Sequence, residues 1–119
     1  MHPGPINLPR IGAALSRLAS GPAPATAIIT GNVSTTIAVI RLLGADFGAT
    51  ALVGFDDFPL ADLLTPGVSV IAQDPAQLGR EAASLLFARL DGYEGAARHT
   101  IVPTRYIARG SGEIPAPAG

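Results

Sequence analysis

The sequence predicts an α/β fold, a largely parallel sheet flanked by helices, and three observations carry that prediction. Three short apolar runs, "ATAIIT" (25–30), "TALVGF" (50–55) and "VSVIAQ" (68–73), lack the polar alternation of half-exposed strands and read as strands buried on both faces. Two stretches with apolar residues at helical spacing, "VSTTIAVIRLLG" and "PAQLGREAASLLFARL", follow the first and third of these runs. The resulting order αβαββαβ belongs to layered folds built on parallel strands.

The elements follow from local signals. In "RIGAALSRLA" (10–19), Ile11, Leu15 and Leu18 mark one face of a first helix, and "GPAPA" (21–25) is the loop after it. The first strand stops at Gly31-Asn32, where Asn32 takes the N-cap position of the next helix. Gly44 ends that helix, whose residues Ile37, Val39, Ile40, Leu42 and Leu43 leave little polar face. Such a helix is covered on two sides, by its sheet and by a second body. Asp74 caps the next helix, Pro75 suits its first position, and Gln77 can close a capping box. Its stripe is Leu78, Ala82, Leu85, Leu86 and Leu90, and it ends near Asp91-Gly92. The run "HTIVPTRYIAR" reads as one or two extended segments broken at Pro103. The ends, 1–9 and 113–119, read as flexible tails around a single domain at 10–112.

Composition narrows the function. A chain of 119 residues with 48% hydrophobic and 14% charged residues is long enough for a core and too apolar for disorder. The eight basic residues are all arginines, dispersed in a chain of net charge −1, so these residues make no phosphate-gripping stripe. Cysteine is absent, which excludes a disulfide framework, a thiolate metal site and a thiol nucleophile, and fits a cytoplasmic setting. No apolar run reaches the roughly 20 residues of a membrane helix. Ser16 and Arg17 interrupt the N-terminal stretch, which makes it a poor signal peptide. The mean hydropathy of +0.39 is high for a small soluble domain. It implies surface hidden against a partner subunit or against a missing part of the fold.

In open parallel sheets, ligands lie beyond the carboxyl ends of the strands. The first strand ends at Asn32 and the second at Phe55-Asp56-Asp57, so Asn32 and Asp56 are expected to converge on one edge. An amide and a carboxylate together suit vicinal hydroxyls of a sugar-like molecule, and Phe55 or Phe58 offers an apolar face. Simpler roles compete. Asn32 can serve only as a helix cap, and the Asp56-Asp57 pair can be a turn or the cap of a short "FPLADLL" helix. Catalytic and metal roles have little support. Adjacent carboxylates diverge, no His or further acid lies at ligand spacing, His99 reads as a surface residue and His2 as part of the tail. "GSG" (110–112) follows a strand but opens no helix, so no nucleotide loop is present. We expect no enzyme activity, no cofactor and no metal.

Taken in order, "TAIITGN", "TTIAVIRLLG", "ALVGFDD", "LTPGVSVIAQDPAQLGREAASLLFARLDG" and "IVPTRYIARGSG" resemble the C-terminal stretch of LacI/GalR-type transcriptional regulators, from about residue 10 to 112. The closing Arg-Gly-Ser distinguishes it from related periplasmic sugar-binding proteins. The resemblance implies part of a periplasmic-binding-protein-like (type I) fold that senses a small molecule, a sugar or nucleobase, between two lobes. It implies that Asn32 and Asp56, with Phe55 ending its strand, line the cleft, and that Gln73 and Asp74 lie where the chain crosses between lobes. The helix from Leu78 to Leu90 would belong to the other lobe, and the strand at Tyr106–Arg109 would return. The apolar helix 33–43 matches the family's dimerisation face, with Ile37, Ile40 and Leu43. In that family the effector shifts a population of lobe arrangements and the dimer relays it to DNA-reading heads. The helix-turn-helix headpiece, the hinge helix and most of the first lobe are not among these residues, so operator binding would need a domain this chain lacks. The resemblance implies a cytoplasmic homodimer without membrane contact. The rival reading is a fragment of a transporter's periplasmic sugar-binding protein, and a small α/β enzyme lacks any nucleophile–base arrangement.

Overall fold

A computed structural model describes residues 7–117. Helix α1 (Leu8–Ala19) leads into strand β1 (Ala27–Thr30), helix α2 (Val33–Leu43) and strand β2 (Ala51–Phe55). Strand β3 (Ser69–Ala72), helix α3 (Pro75–Leu90) and strand β4 (Arg105–Ile107) follow, so the expected order of elements is present. The strands form one sheet in the order β1-β2-β3-β4. β1, β2 and β3 are parallel, with Thr30 opposite Gly54 and Gly54 opposite Val70. β4 returns antiparallel, pairing Ala72 with Arg105 and Val70 with Ile107.

Three differences from the expected elements have local causes. Asn7 accepts a hydrogen bond from the Arg10 N–H (3.0 Å), and Pro9 suits the first turn, so α1 starts at Leu8, inside the stretch read as a tail. The "FPLADLL" segment makes turns instead of a helix. Its bonds run from Ala61 N to Phe58 O and from Leu63 N to Leu60 O, and Leu60 has φ +80°, outside the helical region. In "HTIVPTRYIAR" only Arg105–Ile107 pairs with the sheet. Residues 1–6 and 118–119 of the expected tails lie outside the described residues, whereas Glu113 closes a 3-10 turn at Ser111–Glu113.

The core sits where α2 and the 56–68 loop meet the sheet. Leu52, Ala61, Val68 and Val70 are fully buried, and Ile40, Phe47, Phe58, Ala72 and Ile107 pack around Ala61, Val68 and Val70. On α2, Thr36, Ala38 and Val39 are buried. The Thr36 hydroxyl donates to Asn32 O (2.9 Å) and hydrogen bonds with the Thr30 hydroxyl (2.6 Å), so no polar group is left orphaned at this contact. A Cβ at Gly54 would lie 2.9 Å from Thr36 Oγ1, so glycine is what lets α2 approach β2 this closely. α1 packs on the outer side of α2.

The segment after Arg109 is laced to the sheet. Ser111 Oγ donates to Leu52 O (2.6 Å) and accepts from Ser69 N (2.9 Å). Ser69 Oγ accepts from the Arg109 and Gly112 N–H groups and donates to Glu113 Oε1, while the Tyr106 hydroxyl donates to the other Glu113 oxygen.

α3 is different. It has no buried residue and almost no contact with the sheet, and Leu78, Leu86, Phe87 and Leu90 are exposed along it. The molecule accordingly measures 60 × 27 × 26 Å, with a radius of gyration of 18.5 Å. A compact chain of this length would have about 14 Å.

Candidate functional site

The parallel register brings the C-terminal ends of β1, β2 and β3 to one edge. Asn32 and Asp56 each stand two residues beyond the Thr30–Gly54 pair. The two aspartates that follow β2 then separate. Asp56 has φ +77°, an uncommon conformation for a residue with a side chain, and its N–H donates to Ile71 O (2.9 Å). Its Oδ1 accepts from Gln73 Nε2 at 2.6 Å, which ties the end of β2 to the end of β3. Asp57 turns to Arg109 in a bidentate pair, 2.8 Å to each guanidinium nitrogen, and also accepts from the Phe58 N–H. The Arg109 hydrogen bonds hold the Asp57 carboxyl below its ordinary range. Arg109 also donates to Val68 O (3.1 Å), so Asp57 fastens the start of the 56–68 loop to the segment that follows β4. One acid of the pair is structural and the other faces the edge.

A hollow of about 410 Å³ opens at this edge, walled by Val33, Asp56, Asp57, Gln73, Pro75 and Leu78. Asn32 stands exposed beside it at the start of α2, where its Oδ1 accepts from the Thr35 N–H (2.8 Å). Capping occupies the amide oxygen and leaves the NH2 group free for another acceptor. Phe55 is half-buried at the end of β2 and is not part of the wall, and Phe58 packs on the core. The apolar surface comes from Val33 and Leu78 instead. Sequence reasoning missed both, because Val33 and Leu78 lie in the first turns of two helices that only the fold brings to one hollow.

Gln73 and Asp74 lie where the chain leaves β3 for α3. Asp74 caps α3 through the Gln77 N–H (3.0 Å), as its position before Pro75 predicted. Gln73 contacts Asp56 and also walls a second hollow of about 320 Å³ with Asp74, Pro103 and Arg105. On α2, Ile37 and Leu42 are exposed, while Ile40 and Leu43 are half-buried. Leu8, Ile37, Ala38 and Arg41 line a shallow groove between α1 and α2. His99 is exposed, and no cluster of metal-ligating side chains occurs among the described residues. No helix among them is long and apolar enough to cross a membrane.

Residues 7–112 match the periplasmic binding protein-like domain, and the chain belongs to that family. Its relatives are LacI-type regulators, and it carries the C-terminal part of such an effector domain. It is 34% identical over 96 residues to the HTH-type transcriptional regulator PtxS of Pseudomonas aeruginosa, covering 78% of this chain and 28% of the relative. It is 37% identical over 68 residues to the lactose operon repressor of Rhizobium radiobacter, covering 57% of this chain and 59% of that protein. Among solved structures, a LacI family transcriptional regulator from Arthrobacter sp. FB24 in complex with lactose superposes with a TM-score of 0.68 at 26% identity. That match takes in 89% of this chain and 40% of the other. The chain therefore spans less than two thirds of the length of each of these proteins.

Proposed function

We propose that this chain senses a small polyhydroxylated ligand as part of a cytoplasmic LacI-type regulator, and that it pairs with a second copy through the outer surface of α1 and α2. The observation that carries the sensing reading is the Asp56–Gln73 hydrogen bond at the lip of the 410 Å³ hollow, beside the free amide of Asn32. Asp56 Oδ1 is engaged by Gln73, which leaves Oδ2 to accept from a ligand hydroxyl. The Asn32 NH2 group donates to a neighbouring ligand oxygen, and Val33 and Leu78 meet the apolar edge of a sugar ring. Binding is the whole of the proposed chemistry, since nothing in this arrangement activates a nucleophile. The lactose complex of the Arthrobacter relative supports a sugar as the ligand class.

The opposite side of the ligand would be held by protein outside this chain, so affinity for the isolated chain is expected in the millimolar range or weaker. NMR of the side-chain amides during a lactose titration tests this. The Asn32 and Gln73 NH2 resonances are expected to move together and saturably, and Asp56→Ala to abolish the movement. Asn32→Asp keeps the helix cap but removes the donor, so it should fold normally and lose the response. A response that survives both substitutions would refute the site.

A further inference from the structure

Beyond that reading, we infer that the far end of α3 carries a second site, separate from the strand-edge hollow, for a small organic anion of the phosphate-ester type. The chain turns at Gly92 and the returning segment lies along the helix. Leu85, Leu86 and Arg89 from α3 and Ala97 and Arg98 from the return line an open hollow of about 280 Å³. Tyr93 organises it. The Arg98 guanidinium lies 4.3 Å from the Tyr93 ring centroid and that of Arg89 lies 5.3 Å from the same centroid. Both cations lie within cation–π range of the one ring, and both line the same hollow.

The ring has one tether. Its hydroxyl donates to Ala96 O (3.3 Å), and a Cβ at Gly95 would fall 2.2 Å from the Tyr93 hydroxyl oxygen. A side chain at 95 would displace the Tyr93 ring from this position, and the turn brings Arg98 to the same hollow as Arg89.

Charge selects the ligand. Among the described residues the ion pair formed is Arg109–Asp57, so neither Arg89 nor Arg98 is neutralised by a carboxylate within 4 Å. The acids nearest in sequence, Asp91 and Glu94, are exposed and pair with neither. Two guanidinium groups facing one hollow repel each other, and an anion between them relieves the repulsion. A carboxylate is satisfied by one bidentate arginine, whereas a phosphate monoester carries a charge of about −1.5 to −2 and three acceptor oxygens, enough for two. Leu85, Leu86 and Ala97 give the hollow an apolar wall, which favours an ester with a short hydrocarbon body over inorganic phosphate.

The chain contains two tyrosines, Tyr93 and Tyr106, and no tryptophan, so tyrosine emission reports on Tyr93 once the share of Tyr106 is known from Tyr93→Phe. The experiment titrates the 119-residue chain with butyl phosphate and with inorganic phosphate at low ionic strength, following tyrosine fluorescence and the Arg Nε–Hε NMR signals. Saturable binding is expected, at least threefold tighter for butyl phosphate. Arg89→Gln and Arg98→Gln are each expected to weaken it at least tenfold, and Asp56→Ala to leave it unchanged. Tyr93→Phe is expected to silence the change in tyrosine emission while the arginine signals still respond. A linear, unsaturated response, or an affinity in the two arginine variants unchanged from the parent, would overturn the proposal and leave Arg89–Tyr93–Arg98 as a staple of the turn. Loss of binding in Asp56→Ala would overturn it too, by assigning the signal to the strand-edge hollow.

Discussion

Gly54 sets how closely α2 can lie on the sheet. Any side chain there meets Thr36, whose hydroxyl and methyl are both within 3.0 Å of the position a Cβ would take. Thr36 is fully buried, so it has no room to give way. Gly54→Ala is expected to destabilise the chain by about 1–3 kcal/mol through overpacking, read from the midpoint of urea unfolding. Asp57 is a milder case. Its pair with Arg109 is bidentate, but the Asp57 side chain is 39% exposed, and solvent screening limits the pair to about 0.5–1 kcal/mol. Because the Asp57 carboxyl is held below its ordinary value of 3.8, the stabilisation is complete above that value and disappears as pH falls through the depressed one. Unfolding curves from pH 6 down to pH 2 should therefore show Asp57→Asn less stable than the parent at the upper end and equal to it at the lower.

At the scale of elements, α3 stands apart. Its cap and first-turn proline form the helix locally, while almost nothing in the sheet supports it. Asp74→Ala is expected to cost about 1 kcal/mol of helix stability. That loss should appear as faster amide hydrogen exchange along residues 75–90, with little change in protection of β1 to β3. Strands β1 to β3 and helix α2 were legible in the sequence because each had a short apolar run and a terminal signal, as with Asn32 and Gly44 around α2. The pieces that were not legible depend on partners distant along the chain. Arg109 claims Asp57 across the fold, so the "DD" pair could not be divided into a structural and an exposed acid by inspection. The same applies to Glu113, read as part of a tail, which becomes a fixed acceptor only once Ser69 and Tyr106 are beside it. Gln73 was placed at the crossing, but its bond to Asp56 needed the register of β2 and β3.

For the whole molecule, the high mean hydropathy has two visible sources. One is the outer surface of α1 and α2, where Leu8, Ile37 and Leu42 remain exposed after the helices have packed on each other. The other is the apolar length of α3. If the first surface joins two copies, light scattering should give a mass near twice the 12.0 kDa of the chain, and Ile37→Asp should return it to the single-chain mass. A single-chain mass for the parent at high concentration would remove the dimer reading.

The antiparallel pairing of Ala72 with Arg105 makes the whole stretch from Gln73 to Thr104 an excursion that departs and re-enters at neighbouring points. Directly opposed residues are the geometry a two-residue reverse turn closes, so an Asn-Gly linker could join them and leave a meander of β3 and β4 on an otherwise unaltered platform. The molecule is then divisible by protein engineering into a scaffold and a detachable appendage, with Gln73, the partner of Asp56, going with the appendage.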